Sequence, residues 1–216
     1  MKKVVSFSLW GDNPKYTVGA IENAKLVNKI YEGWTARFYC GKSVPENIIN
    51  ELKSLENTEV ILMNEQGNWT GMFWRFMACE DSDIMVSRDT DSRISFREKH
   101  AVDEWIASDK DFHIMRDHPY HNVPILGGMW GCRNGILSNI RELVDRYNKG
   151  DFWQTDQNFL REVVYDKVKE SSIIHDSYFN FEITKRLFPT KRINREFVGD
   201  VFDENNIRHS EYFKYI

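Results

Sequence analysis

The first 63 residues of the chain alternate between two patterns of apolar and polar positions. Three short segments, KVVSFSLWG, TARFYC and TEVILM, are rich in β-branched and aromatic residues, a composition typical of strands. Between them lie two stretches, residues 16–31 and 43–55, in which apolar residues recur at helical spacing. Strands that alternate with helices predict a parallel sheet with crossover helices, an architecture typical of nucleotide-binding proteins.

The pattern loosens after this start. The segment WTGMFWRFMACE (69–80) predicts a largely buried helix, because bulky apolar residues fall on most of its faces, and DIMVSRD predicts a fourth strand. Further along, the pattern predicts helices over 97–108, 136–148 and 154–169, strands over 112–117 and 171–176, and a C-terminal strand ending in a turn, FVGDVFDENN. No internal repeat, low-complexity run or linker interrupts the chain, so the sequence predicts one α/β domain over residues 1–216.

Composition and charge narrow the class of protein. Apolar residues make up 41% of the chain and charged residues 29%, a balance that indicates a globular protein rather than a disordered one. The net charge of −4 leaves no overall basic surface for nucleic acid. Two TKR segments, 184–186 and 190–192, make the C-terminal part locally basic, either as a solvated face or as a contact for phosphates.

Cysteine usage and hydropathy bear on the compartment. Cys40, Cys79 and Cys132 are widely spaced and form no CxxC pair, which predicts reduced, buried thiols rather than a disulfide framework or a zinc site. No segment approaches the roughly 18 consecutive apolar residues that a membrane-spanning helix requires. From these features we expect a cytoplasmic protein without a transmembrane segment.

Two aspartates, Asp89 and Asp91, lie at the C-terminal end of the fourth predicted strand in the sequence IMVSRDTDSR. Alternate residues of an extended chain point the same way, so the two carboxylates can converge on one hard divalent cation. A cation held by one or two carboxylates keeps coordination positions open for substrate phosphates. A plain turn is the alternative, because aspartate is common in turns. An aspartyl-phosphate phosphatase would also carry an Asp-x-Asp pair, but at the end of its first strand.

Two further segments carry candidate ligand-binding residues. Gly128 and Trp130 belong to ILGGMWGCR, where glycines would let the backbone approach a hydroxyl-rich ligand and an aromatic ring would contact it. A tight bend at a sheet edge is the alternative. Asp156 and Gln157 lie near the start of a predicted helix, either as capping residues or as hydrogen-bonding partners of sugar hydroxyls.

Arginines and one histidine complete the candidates. Arg75, Arg88 and Arg93 would bind phosphates bidentately, or they form ordinary ion pairs. His175 follows an apolar pair in the segment IIHD. A lone histidine after a strand is either structural or, if the cation at the aspartate pair needs another protein ligand, a chemically suitable one.

These segments, in this order, resemble a GT-A fold glycosyltransferase over nearly the whole chain. The likeness rests on the strand–helix start, on SRDTDSR as the DxD motif of that family, and on GGMWG, TDQNFL and IIHD. It is strongest with the compact glycosyltransferases of large DNA viruses of algae and of bacterial polysaccharide clusters. The resemblance implies a nucleotide-binding half, residues 1–95, and a half that binds donor sugar and acceptor, residues 96–216.

The resemblance also implies partners and roles. The donor is a nucleotide sugar, most often UDP-linked, with Mn²⁺ or Mg²⁺ between the DxD motif and the diphosphate, and the acceptor is a glycan or glycoconjugate. Asp89 lies nearer the ribose, Asp91 coordinates the metal, and His175 supplies a further ligand. The uridine pocket is formed by residues after the first strand, Ser8, Leu9, Trp10 and Tyr16. Asp156 contacts the donor sugar or acts as general base on the acceptor hydroxyl, and inversion or retention stays open.

Two other functions compete with glycosyl transfer. A sugar-phosphate nucleotidyltransferase shares the sheet and the acidic metal ligands, but it usually has a glycine-rich, basic loop after the first strand. SLWGDNPKY has one glycine and one lysine there. A non-catalytic protein that binds nucleotide sugars or carbohydrates is the third candidate, and the intact acidic pair argues against it.

Overall fold

Three parallel strands at the start of the chain form one side of the sheet. The computed structural model describes residues 1–147 and 149–216. The first five elements are β1 (Lys3–Leu9), α1 (Pro14–Ile30), β2 (Thr35–Cys40), α2 (Glu46–Ser54) and β3 (Thr58–Leu62). Strand β1 pairs in parallel with β2, and β2 pairs in parallel with β3. The strand–helix alternation predicted from the sequence is therefore confirmed.

The remaining elements extend the sheet to seven strands. They are a 3-10 helix (Trp69–Glu80), β4 (Ile84–Ser87), α3 (Phe96–Ile106), β5 (Phe112–Arg116), β6 (Trp130–Arg133), α4 (Ile140–Tyr147), α5 (Thr155–Phe159), a π-helical turn (Leu160–Val164), α6 (Tyr165–Val168), a 3-10 turn (Lys169–Ser171), β7 (Ser172–Asp176) and a C-terminal 3-10 helix (Ser210–Tyr215). The strand order is β3-β2-β1-β4-β6-β5-β7. Only β6 runs antiparallel to its neighbours, β4 and β5.

Side chains of the central strand alternate between two apolar layers, as the pleat of a buried strand requires. Val5, Phe7 and Leu9 of β1 face a layer that includes α1 and Trp105 of α3. Val4 faces the other layer, which the 3-10 helix over Trp69–Glu80 and helices α5 and α6 supply. Both faces of the sheet are therefore covered, which is the usual arrangement of a mostly parallel sheet.

The segment predicted as a helix over 69–80 is a 3-10 helix, and two serines of β1 explain why. The Oγ of Ser6 donates a hydrogen bond to the backbone oxygen of Arg75 (2.7 Å), and the amide of Arg75 donates to the Oγ of Ser8 (3.0 Å). These bonds tie the segment's backbone to the sheet and replace part of the regular α-helical pattern. The side chain of Arg75 is thereby fixed at the end of β1.

Two other predicted elements differ from the structure. The strand predicted at FVGDVFDENN is wrong: this segment makes only single bridges, from Val201 to Ser92 and from Phe202 to Arg208. Gly199 adopts a positive φ of 88°, which breaks the extended backbone. Helix α4 begins at Ile140, later than predicted, and residue 148, its expected last residue, lies outside the described part of the chain. Among the described helices, none has the length and apolar character needed to cross a membrane.

One side chain of α1 shapes the loop that carries the aspartates. The Nδ2 of Asn23, a fully buried residue, donates to the backbone oxygens of Thr90 (3.1 Å) and Ser92 (2.8 Å). Its Oδ1 accepts from the amide of Ile94 (3.1 Å). Because β1 and β4 are adjacent parallel strands, the loops after them open at the same edge of the sheet. Asn23 thus fixes the aspartate loop at the carboxyl ends of two strands.

Replacing Gly19 with alanine will destabilise the fold, although alanine is the better helix former. An added Cβ would overlap the backbone oxygen of Thr90, so α1 and the aspartate loop would have to separate. We expect the free energy of unfolding to fall by about 1–3 kcal/mol in urea titrations. Helix propensity alone gives a gain of about 1 kcal/mol, so a more stable variant would contradict this packing.

Candidate functional site

A cavity of about 640 Å³ opens at the carboxyl ends of β1 and β4. The loop after β1, the aspartate loop, the 3-10 helix and the start of α5 line it, together with the segment around Gly199 and the ring of Tyr212. In open α/β sheets, ligands bind at this edge, where loops from neighbouring strands converge. The volume suits a ligand larger than a single sugar.

The aspartate pair is one wall of the cavity. Asp89 has 46% of its side chain exposed and Asp91 has 20%, so both carboxylates can be reached by a ligand. Each carboxylate already has a cationic partner: Arg75 Nη1 contacts Asp89 Oδ1, and Lys15 Nζ lies 2.8 Å from Asp91 Oδ2. Burial, followed by the neighbouring charge of Asp89, raises the pKa of Asp91, and Lys15 opposes this shift.

Arg75 joins the aspartate pair to a third carboxylate. This buried guanidinium also donates from Nη2 to Asp156 Oδ2 (2.8 Å). Asp156 is 2% exposed, and its Oδ1 accepts from the amide of Gln157 (2.8 Å). Burial raises the pKa of Asp156, and the positive charge of Arg75 opposes the rise. The Nε of Arg75 has no hydrogen-bond partner, so the guanidinium binds through its two terminal nitrogens.

The glycine pair in ILGGMWGCR leaves room for these carboxylates. A Cβ at Gly127 would overlap Asp156 Oδ2 and would lie 2.6 Å from Arg75 Nη2. A Cβ at Gly128 would overlap Asp89 Oδ2. The glycines therefore let the backbone approach the acidic side chains closely. The sequence pattern had predicted such a close approach to a ligand.

The structure brings most of the predicted site residues together. Those that line the cavity are Ser8, Leu9, Trp10, Tyr16, Arg75, Asp89, Asp91, Asp156 and Gln157. They come from four separate segments of the chain, so the fold gathers the residues that sequence motifs identified one by one.

Trp130 and Arg88 do not line the cavity, and neither does Gly128, which packs closely against Asp89. The ring of Trp130 is fully buried and stacks on Phe112 with 5.2 Å between ring centroids. Arg88 is also fully buried, where its Nη2 lies 2.8 Å from Glu98 Oε2 and its Nη1 donates to the backbone oxygen of Gly128. Their predicted contacts with a ligand are therefore corrected to packing and to support of the glycine segment.

His175 lies apart from the aspartate pair, and the prediction that it shares a cation with Asp91 is corrected. It is fully buried on β7, where its Nδ1 is 2.8 Å from Nε2 of His113 and its Nε2 is 3.3 Å from Glu104. Burial lowers the pKa of His175. Strands β6 and β5 lie between β4 and β7, so the sheet order separates two segments that both follow strands.

Sequence reasoning missed one side chain that contacts the aspartate pair, that of Lys15. Lys15 in the first turn of α1 reaches Asp91, and the only signal for it was its place in the loop after the first strand. His118, Tyr120 and His121, which precede the glycine segment and whose side chains suit a hydroxyl-rich ligand, do line the cavity, and burial lowers the pKa of His121 to about 3. The Nε2 of His118 is 3.1 Å from the backbone oxygen of Tyr212, which ties the C-terminal 3-10 helix to the cavity rim. No local pattern predicts that last contact.

Oxygen ligands at this site suit a hard divalent cation. Across residues 1–147 and 149–216, no three side chains of His, Cys, Asp or Glu are grouped so that they could hold a metal ion. Asp89 and Asp91 are nevertheless two accessible carboxylates in a cavity large enough for phosphates. Magnesium is commonly held by one or two carboxylates, with substrate phosphates and water completing its coordination. The residues present therefore fit a cation that binds together with its substrate.

The two sequence comparisons find no match, whereas comparison of the structure finds proteins with the same fold. No protein-family model matches the chain. No curated protein matches it either.

Solved structures that share its fold include the following three proteins. One is a glycosyltransferase involved in the glycosylation of the major capsid of PBCV-1, with a TM-score of 0.54, 16% identity and 82% of each chain covered. Another is glucosyl-3-phosphoglycerate synthase of Mycobacterium tuberculosis in complex with Mn²⁺, UDP and phosphoglyceric acid, with a TM-score of 0.51, 12% identity, and 84% of this chain and 72% of that chain covered. The third is 4-diphosphocytidyl-2C-methyl-D-erythritol synthase of Anaerococcus prevotii, with a TM-score of 0.53, 12% identity, and 85% and 92% covered.

At these identities the likeness establishes the fold. The chain has the α/β fold of GT-A glycosyltransferases, a mostly parallel seven-stranded sheet flanked by helices, and the predicted fold class is confirmed. The synthase of Anaerococcus prevotii, a nucleotidyltransferase, shares this architecture, so the fold alone does not separate the two reaction classes.

Replacing Arg75 with methionine will destabilise the protein more at neutral than at acidic pH. The variant leaves the Asp156 carboxylate buried without its cation, which typically lowers the free energy of unfolding by about 3–5 kcal/mol. A carboxyl whose pKa is raised in the folded state stabilises the fold below its unfolded pKa, and this contribution is lost as pH rises through the folded pKa. Urea unfolding should therefore show a smaller loss at about pH 4 than at pH 7. An equal loss at both values would contradict the ion network, and adding Asp156→Asn should restore stability at pH 7.

Proposed function

We propose that the protein is a metal-dependent glycosyltransferase, which moves a sugar from a nucleotide-diphosphate sugar to a hydroxyl of a glycan or glycoconjugate. The observation that carries this proposal is a single cavity, at the carboxyl ends of β1 and β4, that contains an accessible pair of carboxylates and a third, buried carboxylate. A transferase of this class needs both: oxygen ligands for a cation at the diphosphate, and a polar group at the sugar.

The nucleotide of the donor, UDP in this proposal, binds on the side of the cavity formed by residues 1–95. Ser8, Leu9 and Trp10 at the end of β1 would hold the base, with Tyr16 beside them. Trp10 contacts Trp69 and Trp74 edge to face, so its ring is held in place before a base arrives. The presence of UDP and Mn²⁺ in the mycobacterial synthase of the same fold supports this choice of donor.

Asp89 and Asp91 would hold the divalent cation, Mn²⁺ or Mg²⁺. A cation bound there would neutralise charge that develops on the departing diphosphate. Arg75 holds Asp89 by an ion pair. The side chain of Asn23 donates hydrogen bonds to the backbone oxygens of Thr90, between the aspartates, and Ser92, after them. The carboxylates are therefore positioned by the chain itself.

Asp156 would act at the sugar, on the side of the cavity formed by residues 96–216. Its Oδ1 accepts from the amide of Gln157 and its Oδ2 from Arg75, so both oxygens have fixed directions. Its raised pKa lets the carboxylate accept a proton from an acceptor hydroxyl more readily than an ordinary aspartate would. We assign it as the general base of the transfer.

Nucleotidyl transfer is the second candidate function, because the synthase of Anaerococcus prevotii shares the fold over 85% of this chain. Such an enzyme must hold a triphosphate in the loop after β1. In this chain Gly11 is the only glycine between β1 and α1, and the nearest lysine, Lys15 in the first turn of α1, is paired with Asp91. Incubation with a nucleoside triphosphate and a sugar phosphate, followed by pyrophosphate detection, tests this candidate directly.

Asp91→Ala will abolish metal-dependent release of nucleoside diphosphate from nucleotide sugars while the fold is retained. The side chain is exposed to the cavity, so its removal takes away a cation ligand without opening the core. The assay uses a panel of nucleotide sugars with Mn²⁺, with and without chelator, and Asp103→Ala on the surface of α3 is the matched control. Metal-dependent release that survives in Asp91→Ala, or wild-type release that chelator leaves unchanged, would sink the proposal.

Asp156→Asn will lower kcat by roughly 10²–10⁴-fold and leave donor binding nearly unchanged. Asparagine has the size of aspartate and keeps one oxygen that can accept from Arg75, although it loses the bond that the amide of Gln157 donates. In the wild type, the acid limb of kcat/KM should lie above the ordinary aspartate range, because burial raises the pKa of Asp156, and it should disappear in the variant. A variant that loses donor binding and keeps kcat would instead assign Asp156 to the donor sugar.

A further inference from the structure

We infer that Lys15 is an exchangeable counter-ion, which neutralises Asp91 in the metal-free protein and moves to the donor's diphosphate when a divalent cation binds Asp91. This inference rests on the proposed function. It adds a coupling between metal binding and donor binding that glycosyl transfer by itself does not require. It makes metal binding and donor binding support each other through one side chain.

The backbone of Lys15 is fixed in helix α1, whereas its ammonium group is on a flexible side chain. Its amide donates to the side-chain oxygen of Asn13 (3.0 Å) in the first turn of α1. Its ammonium lies 2.8 Å from Asp91 Oδ2 with 28% of the side chain exposed. A partly exposed lysine side chain, with its flexible four-carbon stem, can change partner without any movement of the helix.

Arg75, the other cation at the site, cannot make this exchange. It is buried and binds Asp89 and Asp156 at once, so its departure would leave the Asp156 carboxylate buried and unpaired. Lys15 has a single acidic partner, Asp91, and that partner is accessible. Of the two cations that contact the three carboxylates, Lys15 is therefore the one that a metal ion displaces.

The charges of this network explain the coupling. Three carboxylates, Asp89, Asp91 and Asp156, meet two cations, Arg75 and Lys15, and leave one net negative charge. A divalent cation at Asp91 would change the net charge of this network to one positive charge. It would also repel the ammonium of Lys15, because both cations compete for the same carboxylate. A diphosphate then restores the balance, because it accepts hydrogen bonds from Lys15 and coordinates the metal.

A reciprocal coupling follows. Lys15 must weaken the binding of the metal alone, because the two cations compete for Asp91, and it must strengthen the binding of diphosphate once metal is present. Removing the ammonium therefore changes the two affinities in opposite directions. A residue that served only to support the loop would lower both together when replaced.

The experiment measures two affinities for three proteins: the wild type, Lys15→Met and the control Lys25→Met. Lys25 lies on the same helix, is half exposed and pairs with Glu22, so both variants change the net charge equally. Binding of Mn²⁺ alone is followed through the electron paramagnetic resonance signal of the free ion. Binding of UDP at saturating Mn²⁺ is measured by isothermal titration calorimetry.

Lys15→Met should bind Mn²⁺ alone on the order of tenfold more tightly, and UDP in the presence of Mn²⁺ on the order of tenfold more weakly, a size typical of coupling between sites. Lys25→Met should match the wild type in both. Lys15→Met that binds Mn²⁺ no more tightly than the wild type overturns the inference alone. Wild type whose affinity for UDP is the same with Mn²⁺ as with chelator overturns the proposed function as well. Circular dichroism checks that Lys15→Met is folded, and Lys15→Gln repeats the test with a smaller side chain.

Discussion

The site depends on one buried guanidinium, that of Arg75, which lies between Asp89 and Asp156. An arginine in a low-dielectric interior is stable only when its charge is compensated, and two carboxylates do this here. The compensation also works in reverse: Asp156 stays in the interior because Arg75 is there. The same network requires glycine at positions 127 and 128, since any side chain at Gly127 or Gly128 would collide with these groups.

This ion network is held by the sheet rather than by the loops. Ser6 and Ser8 of β1 hydrogen-bond the carbonyl oxygen and the amide of Arg75 and hold the 3-10 helix against the strand. The apolar side chains of that helix, Phe73 and Phe76 among them, then fill the layer below. Apolar packing of the 3-10 helix thus places the charged side chain of Arg75 at the cavity, at the edge of the hydrophobic core.

The order of elements was readable from the sequence because apolar periodicity is a local property. The strand–helix start and the strand at 171–176 were predicted from it and are confirmed. The aspartate pair was recognised from its position after a buried strand. The order of strands in the sheet is not local, however, so the distance between His175 and the pair could not be anticipated. The 3-10 geometry that aims Arg75 also depends on serines of another segment, and the contact of Lys15 with Asp91 depends on the packing of α1.

The buried amide of Asn23 has a consequence for the energetics of ligand binding. It satisfies three backbone groups of the loop that follows β4, and these bonds favour the loop's conformation without any contribution from a ligand. A loop that is ordered only on binding costs conformational entropy at that moment, and a preorganised loop does not. Affinity at this edge of the sheet is then set by the contacts themselves, and selection for a tighter or looser site can act on the side chains of the cavity without rebuilding its frame.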